Sequence, residues 1–485
     1  MKRFLLLTAS LVVSLSSVAQ EISTSYFTDD TKKPVSRVRA VAVEGDYAYI
    51  GGWTQNACGT TPHVQKVNVV TGEEIWSTAN VASYVAFEEQ FVITTIAVIG
   101  DYVYAMAALP HSSTFGRLWR IDKVTGQIGW RTQWLDGSEG KIWLYFENQL
   151  LVHSFNKLRI IDIGSGAIVA THELSNNTSI SANGNREIYM AFLPLQRVTN
   201  FDFANPTTVA DMPMGPTCES GSIAEVHALD DNKLLVFGLP CGTRVVLIDL
   251  ITKQVIWQAD AGEEGYDVQS FVVKGNDLYV SWRPNNNFNM LYGMRASRIN
   301  FTTGQVLWNS VKFFSRAYDH DSSIDAYYRP QGNAISIDAD NTGDVYLTGT
   351  AGATGFDGDW GIMKLSGANG DLIYEKIMAV SDKRWDQASG GRRVVVRDDT
   401  PYFIGNMLIP DPIYDFVDEY GPNNLSLIKL NGATGAVQRK TDLQAKIIEP
   451  SVVRKVVGYE DNTTLLLENK GPVVLLTRFD EKNIV

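Results

Sequence analysis

Three features of this 485-residue sequence predict an all-β chain folded as a closed propeller of four-stranded antiparallel blades. The first is a recurring phrase: a hydrophobic strand ending in Asp or Asn, a turn ending in Gly, then a strand with Trp four residues past the Gly. It reads Val67-Asn68-Val69-Val70-Thr71-Gly72 then Trp76, Ile121-Asp122-Lys123-Val124-Thr125-Gly126 then Trp130, and Ile299-Asn300-Phe301-Thr302-Thr303-Gly304 then Trp308. Self-similarity at such a period belongs to stacked repeats, not to one unique core. The second is composition: 20 Tyr and 40 Gly suit short strands joined by tight turns. The third is an incomplete last unit, which a strand near the N-terminus can complete.

In chain order, Lys2 and Arg3 precede an apolar run, 4–18, and a small-x-small site at Ser17-Val18-Ala19. This predicts a signal peptide over 1–19 and a single propeller domain over 20–485. The run falls short of the roughly 20 residues a spanning helix needs, and no later stretch is long and apolar enough. No Cys follows the cleavage site to carry a lipid anchor. The expected location is therefore periplasmic or extracellular, soluble after cleavage.

The first unit divides into strand A at 37–44, B at 46–53, C at 64–70 and D at 73–79, with Glu44-Gly45-Asp46 as the A–B turn. Gly100-Asp101, Asn232-Lys233, Gly275-Asn276-Asp277, Asn341-Thr342-Gly343-Asp344 and Asp398-Asp399 occupy that turn in later units. The residue before each C–D turn marks the register: Asn68, Asp122, Asp162, Asp202, Asp249, Asn300, Ser366 and Asn431. These marks give eight blades, within a range of seven to nine. The unit at Asp202 is weak because Pro206 stands where the turn Gly belongs. A ninth partial unit follows at 452–459, 463–468 and 473–480 without a D strand. Residues 22–27 can supply it, closing the ring by pairing the chain ends.

Trp76, Trp130, Trp257, Trp308 and, in the same slot, Tyr374 bring a large ring to one point of each outer strand. There they are expected to cover the gap between neighbouring blades as structural docking residues.

The T-G-x-x-x-W phrase resembles the tryptophan-docking repeat of the quinoprotein-like propellers, a family holding both pyrroloquinoline quinone dehydrogenases and an outer-membrane assembly lipoprotein. The unit at 334–376, with Gly343-Asp344-Val345-Tyr346-Leu347-Thr348-Gly349, resembles a related bacterial propeller repeat. The resemblance covers nearly all of the chain after residue 19. It implies the fold but not an activity, since the family contains enzymes and scaffolds. The dehydrogenases carry a vicinal Cys pair beside the quinone, whereas Cys58, Cys218 and Cys241 are widely separated and no C-x-x-C-H occurs. Pyrroloquinoline quinone is accordingly not expected, and neither is any other cofactor. Ca²⁺ is the one ion the acidic loops suggest.

In a four-stranded blade the B–C and D–A connections emerge at the same end, because adjacent antiparallel strands reverse direction. The segments 54–63, 283–296, 351–359, 409–424 and 310–331 make that end the long-loop face. All three cysteines fall there, and Cys218 with Cys241 is the candidate disulfide, stapling one blade edge. Asp319, His320, Asp321 and Asp325 form a candidate metal cluster, with a solvated acidic linker as the alternative. Asp338 to Asp344 has oxygen side chains at calcium-loop spacing, yet lies where an ordinary A–B turn must fall. Phe356, Asp357, Trp360, Trp385, Tyr414 and Phe416 interleave aromatic and acidic groups that can stack on a sugar or grip a partner loop, or pack on the next blade.

The formal charge, 42 − 54 = −12, becomes 40 − 54 = −14 without Lys2 and Arg3. An acidic chain without a basic run is suited to neither nucleic acid nor anionic lipid. No nucleophile elbow, H-E-x-x-H or phosphate loop appears. The expected function is therefore a non-enzymatic, exported binding propeller whose partner is a protein or a surface glycan, free or within an envelope complex. The competing expectation is a quinone- or metal-dependent oxidoreductase or hydrolase with acidic and Asn side chains converging on the central channel.

Overall fold

The computed structural model describes residues 24–480 except 26–34, 57–58, 79–90, 109–115, 133–134, 136–139, 155, 175–178, 192–194, 211–224, 230–231, 239–243, 262–265, 285–292, 315–330, 353–358, 379–389, 409–422, 444–451, 459–462 and 471–472. Eight four-stranded antiparallel sheets follow one another along the chain, at 35–77, 92–131, 140–173, 180–210, 225–260, 266–312, 331–378 and 390–442. In each, the strands lie side by side in sequence order, A to D. The A strands of successive sheets approach one another at every joint but that of the fifth and sixth, and those of the eighth and first do so too, so A is the innermost strand of a ring. The chain is an eight-bladed β-propeller. All eight register marks fall in the eight blades, one to each.

Each blade buries both faces, so the core is divided among the joints rather than gathered at one centre. Tyr49, Val64 and Trp76 of the first blade pack with Ile93, Val103 and Trp119 of the second. Leu235, Phe237 and Trp257 of the fifth do the same with Leu278, Val280 and Ile299 of the sixth.

The C–D turns are held by one side chain. Asp122 Oδ1 accepts the N–H groups of Val124 and Thr125 at 3.0 and 2.7 Å, while its own carbonyl accepts from Gly126. Asn68, Asn300 and Asn431 accept the same pair of N–H groups in their turns. In the outer strand a register shift follows, leaving Ile75, Val169, Ile256, Leu307 and Ile373 unpaired and exposed. A bulge of this kind re-aims the next side chain, here the docking residue, back into the joint.

The five docking residues all reach forward to the following blade. The indole N–H groups of Trp76, Trp130, Trp257 and Trp308 donate to the carbonyls of Lys123, Ile163, Phe301 and Gly367 at 2.8–3.2 Å. Their rings lie on the turn glycines Gly126, Gly166, Gly304 and Gly370, and Tyr374 lies on Gly435. At Gly370 an added Cβ would sit 2.8 Å from the Trp308 ring, and φ is +73°, so the position requires glycine twice over.

Where no ring arrives, the glycine is not needed. The slot holds Ala170 in the third blade and Ala210 in the fourth. The fifth blade, which follows Ala210, has Lys253 at φ 60° in its turn. At the joint between the third and fourth blades the aromatics come from the other side. Phe201 and Phe203, in the fourth blade's turn, pack back beside Ala170, with Phe203 stacked on His172 at 3.6 Å. This is why the unit around Asp202 and Pro206 departs from the pattern.

The chain ends do pair, Thr24 with Thr477 and Ser25 with Leu476, completing a ninth four-stranded sheet with Val452–Gly458, Thr463–Lys470 and Val473–Asp480. The eighth and first blades nevertheless meet each other directly. Ile404, Leu427 and Leu443 pack with Val38, Ile50 and Val67. Asn406, 3% exposed, accepts from the Val38 N–H at 2.8 Å and donates to the Val38 carbonyl at 3.2 Å. Arg439, four residues past Gly435, occupies the docking slot and donates to the carbonyls of Val69 and Val70 beside Gly72. A planar guanidinium thus replaces indole at the junction between last and first blades.

Candidate functional site

The two ends of the ring are built differently. At the turn end, the A–B connections run from Glu44 to Tyr47, Ile99 to Tyr102, Lys274 to Asp277 and Arg397 to Thr400. At the opposite end, strands stop at Pro284, Lys312, Met378 and Leu408 and resume only at Met294, Gln331, Gly390 and Asn423. Hairpin reversal collects these longest segments on one face, as the strand order requires.

At the turn end many polar groups are engaged by the neighbouring blade. Beneath that end, a Tyr of strand B, a Lys or Arg of strand C and the docking residue of strand D form a stack repeated from blade to blade. Lys66 Nζ lies 4.3 Å from the Tyr47 ring centroid and donates to the Lys123 carbonyl that also receives Trp76. Arg120 lies over Tyr102 and shares the Ile163 carbonyl with Trp130, while Arg298 shares the Gly367 carbonyl with Trp308. Each carbonyl offers two lone pairs, and two donors of the preceding blade occupy them. Burial in these stacks pushes the Tyr49, Tyr104 and Tyr279 hydroxyls up to about 12. Burial also holds the Lys66 ammonium below the ordinary lysine value, with Lys123 adding to it.

The residues 338–344 form a turn of this type. Asp340 Oδ1 accepts the N–H groups of Thr342 and Asp344 and the Thr342 hydroxyl. Its Oδ2 accepts the Tyr346 hydroxyl at 3.1 Å and lies 3.5 Å from Lys364 Nζ. Asp338 Oδ2 accepts from Val396, and Asp344 Oδ1 from Gly367, so the carboxylates face hydrogen-bond donors and a cation. Such a set does not suit Ca²⁺, which takes six to eight unencumbered oxygens. Among the described residues there is no group of three or more His, Cys, Asp and Glu able to hold a metal.

Of the residues predicted to bind, Trp360 is described, and it is buried. Its indole N–H donates to Thr348 Oγ1 at 2.7 Å, and it packs with Tyr346, Ile362 and Phe403. Trp360 opens a C strand, so it belongs to the joint between the seventh and eighth blades, the packing alternative for these aromatics. Phe356, Asp357, Trp385, Tyr414 and Phe416 lie outside the described residues, as do Asp319, His320, Asp321, Asp325, Cys58, Cys218 and Cys241.

The innermost strands carry charge that the sequence analysis did not single out. Lys141 of the third blade reaches past the fourth to Glu225 of the fifth at 3.5 Å, and the other oxygen of Glu225 meets His227 Nε2 at 2.8 Å. The His227 ring stands edge-on to Phe271. Although burial raises it, these two partners together hold the Glu225 carboxyl below its ordinary range. Opposite, in the first and eighth blades, are Arg39 and Arg392. Among the described residues, then, cations outnumber carboxylates along these parts of the inner wall. The strand-to-strand spacing of such residues was legible only once the inner strands were known to share one axis.

No protein-family model matches the chain, and no curated protein matches it. Among solved structures, a computationally designed protein, Ika8, is 14% identical, with TM-score 0.41, covering 80% of this chain and 96% of its own. BamB from Moraxella catarrhalis is 14% identical, with TM-score 0.35 and coverage of 95% and 98%. Sqt1 from Saccharomyces cerevisiae is 9% identical, with TM-score 0.38 and coverage of 95% and 100%. Likenesses of this size carry no argument about function. Among the described residues no helix is long and apolar enough to cross a membrane.

Proposed function

We propose that the protein is a non-enzymatic recognition propeller, exported and processed after Ala19, that binds a protein or surface glycan through its long-loop face. The observation that carries this reading is the asymmetry of the ring. One end is closed mainly by short turns, with carboxylates such as those of Asp122 and Asp344 engaged by backbone N–H groups, and the other holds the longest connections. Loops displayed on a rigid scaffold are where binding residues concentrate. Phe356, Tyr414 and Phe416 are the aromatic contacts in this reading, with Asp357 and Trp385 beside them; Trp360 is left out because it is buried. The forward docking of Trp76, Trp130, Trp257 and Trp308 on turn glycines supports placing the chain among the quinoprotein-like propellers.

The test is a triple substitution, Phe356→Ala, Tyr414→Ala and Phe416→Ala, compared with Val124→Ala and Ile251→Ala, which are exposed on the turn end. Co-purification and glycan-array profiles should lose their principal signals with the first set and keep them with the second. Unchanged profiles for the triple variant would place recognition elsewhere. Mass spectrometry of the secreted chain should give an N-terminus at Gln20.

A further inference from the structure

In each of five blades the innermost strand carries an extra residue at the same distance before the A–B turn: Arg39, Thr94, Gln269, Ile335 and Arg392. A bulge leaves that residue out of the ladder and turns its side chain away from the pleat. In the first and eighth blades, which are neighbours across the junction, the residue is arginine, and both side chains are exposed although their strand is the innermost of four. They therefore open toward the axis of the ring.

Six other described arginines of the ring behave differently. Arg197, Arg244 and Arg298 pair with Glu187, Asp260 and Asp277, while Arg120, Arg397 and Arg439 donate to backbone carbonyls. Among the described residues neither Arg39 nor Arg392 has a carboxylate or carbonyl partner. The chain has 54 acidic residues against 42 basic ones, so carboxylates are not scarce. Two adjacent unpaired guanidinium groups repel, and each offers a planar fork of donors suited to paired oxygens. Enclosure by the inner strands, and then the Arg39 charge, hold Arg392 below the usual arginine value.

We infer that Arg39 and Arg392 form an anion site on the inner wall of the ring, holding a small phosphate- or carboxylate-bearing molecule between the eighth and first blades. The bound oxyanion accepts from both guanidinium forks and removes their mutual repulsion. The site is separate from the long-loop face and stands or falls independently of it.

Calorimetric titration of the full-length protein at low ionic strength, with inorganic phosphate in one arm and citrate in the other, tests the assignment. Saturable one-to-one binding of at least one anion is expected, weakening as salt rises. Arg39→Gln or Arg392→Gln should weaken it roughly tenfold or more, whereas Arg244→Gln should not. Binding of phosphate alone assigns a phosphate ligand, and binding of citrate alone a carboxylate. Without added anion, Arg392→Gln should melt no lower than the parent, because it removes a repulsion. No saturation by either anion, an affinity in both Gln variants equal to the parent's, or a clear loss of stability in Arg392→Gln would each overturn the site.

Discussion

At the scale of single residues, the C–D turns show how one side chain fixes a backbone. Hydrogen bonds hold three of their carboxyls below the ordinary aspartate value: chiefly the Thr125 N–H for Asp122, the Ser165 hydroxyl for Asp162 and the Thr252 N–H for Asp249. A carboxyl depressed in the folded state contributes stability above its unfolded pKa and loses it as pH falls through the folded one. The loss should therefore appear below about pH 4. Asn300 makes the same contacts in its own turn, including acceptance of the Thr303 hydroxyl. Replacing Asp122, Asp162 and Asp249 together with Asn should leave the melting temperature at pH 7 close to the parent's and flatten its fall between pH 5 and 2. An unchanged acid limb, followed by circular dichroism, would show that these turns do not carry the pH dependence.

At the scale of elements, the joint is the working unit, and the sequence disclosed it unevenly. The Trp slot, the turn Gly and the Asp or Asn before it are bound to one another at fixed spacing, so periodicity alone reveals them. Arg439 sits in that same slot, and an aromatic pattern misses it; what the slot takes is a flat group that can lie on the next blade's turn glycine. By residue type and nearby acids Trp360 resembles a contact residue, but its strand buries it against Thr348 and Phe403. The cation–tyrosine stacks and the Lys141–Glu225 bridge join residues from different strands or blades, which no local spacing encodes. Asn406 is of that kind. Its amide serves both the N–H and the carbonyl of Val38 in a buried junction. Asn406→Leu keeps the volume and leaves two backbone groups unpaired, at about 1–3 kcal/mol each. Urea denaturation should show a loss of about 2–6 kcal/mol, and a loss under 1 kcal/mol would mean that the junction rests on its apolar contacts alone.

At the scale of the whole molecule, eight contiguous segments make eight blades, and the first and last touch through their own side chains. The sheet formed by the two chain ends is an addition to that ring. A chain ending at Gln444 retains Leu443, whose N–H donates to the Leu425 carbonyl and whose side chain fills the junction. Such a chain should keep its β-sheet circular dichroism and unfold in one cooperative transition. Loss of that transition would assign the terminal sheet a part in holding the ring.

Every docking ring and its accompanying cation reach from one blade to the next in chain order, never backward, apart from the joint served by Phe201 and Phe203. The joints are thus polar in the sense that a zip fastener is, each unit presenting a hook on one side and an eye on the other. A duplicated copy of the second blade, spliced in just after it, would arrive with both already matched. Gene duplication could lengthen such a circle one segment at a time without any new contact having to be invented.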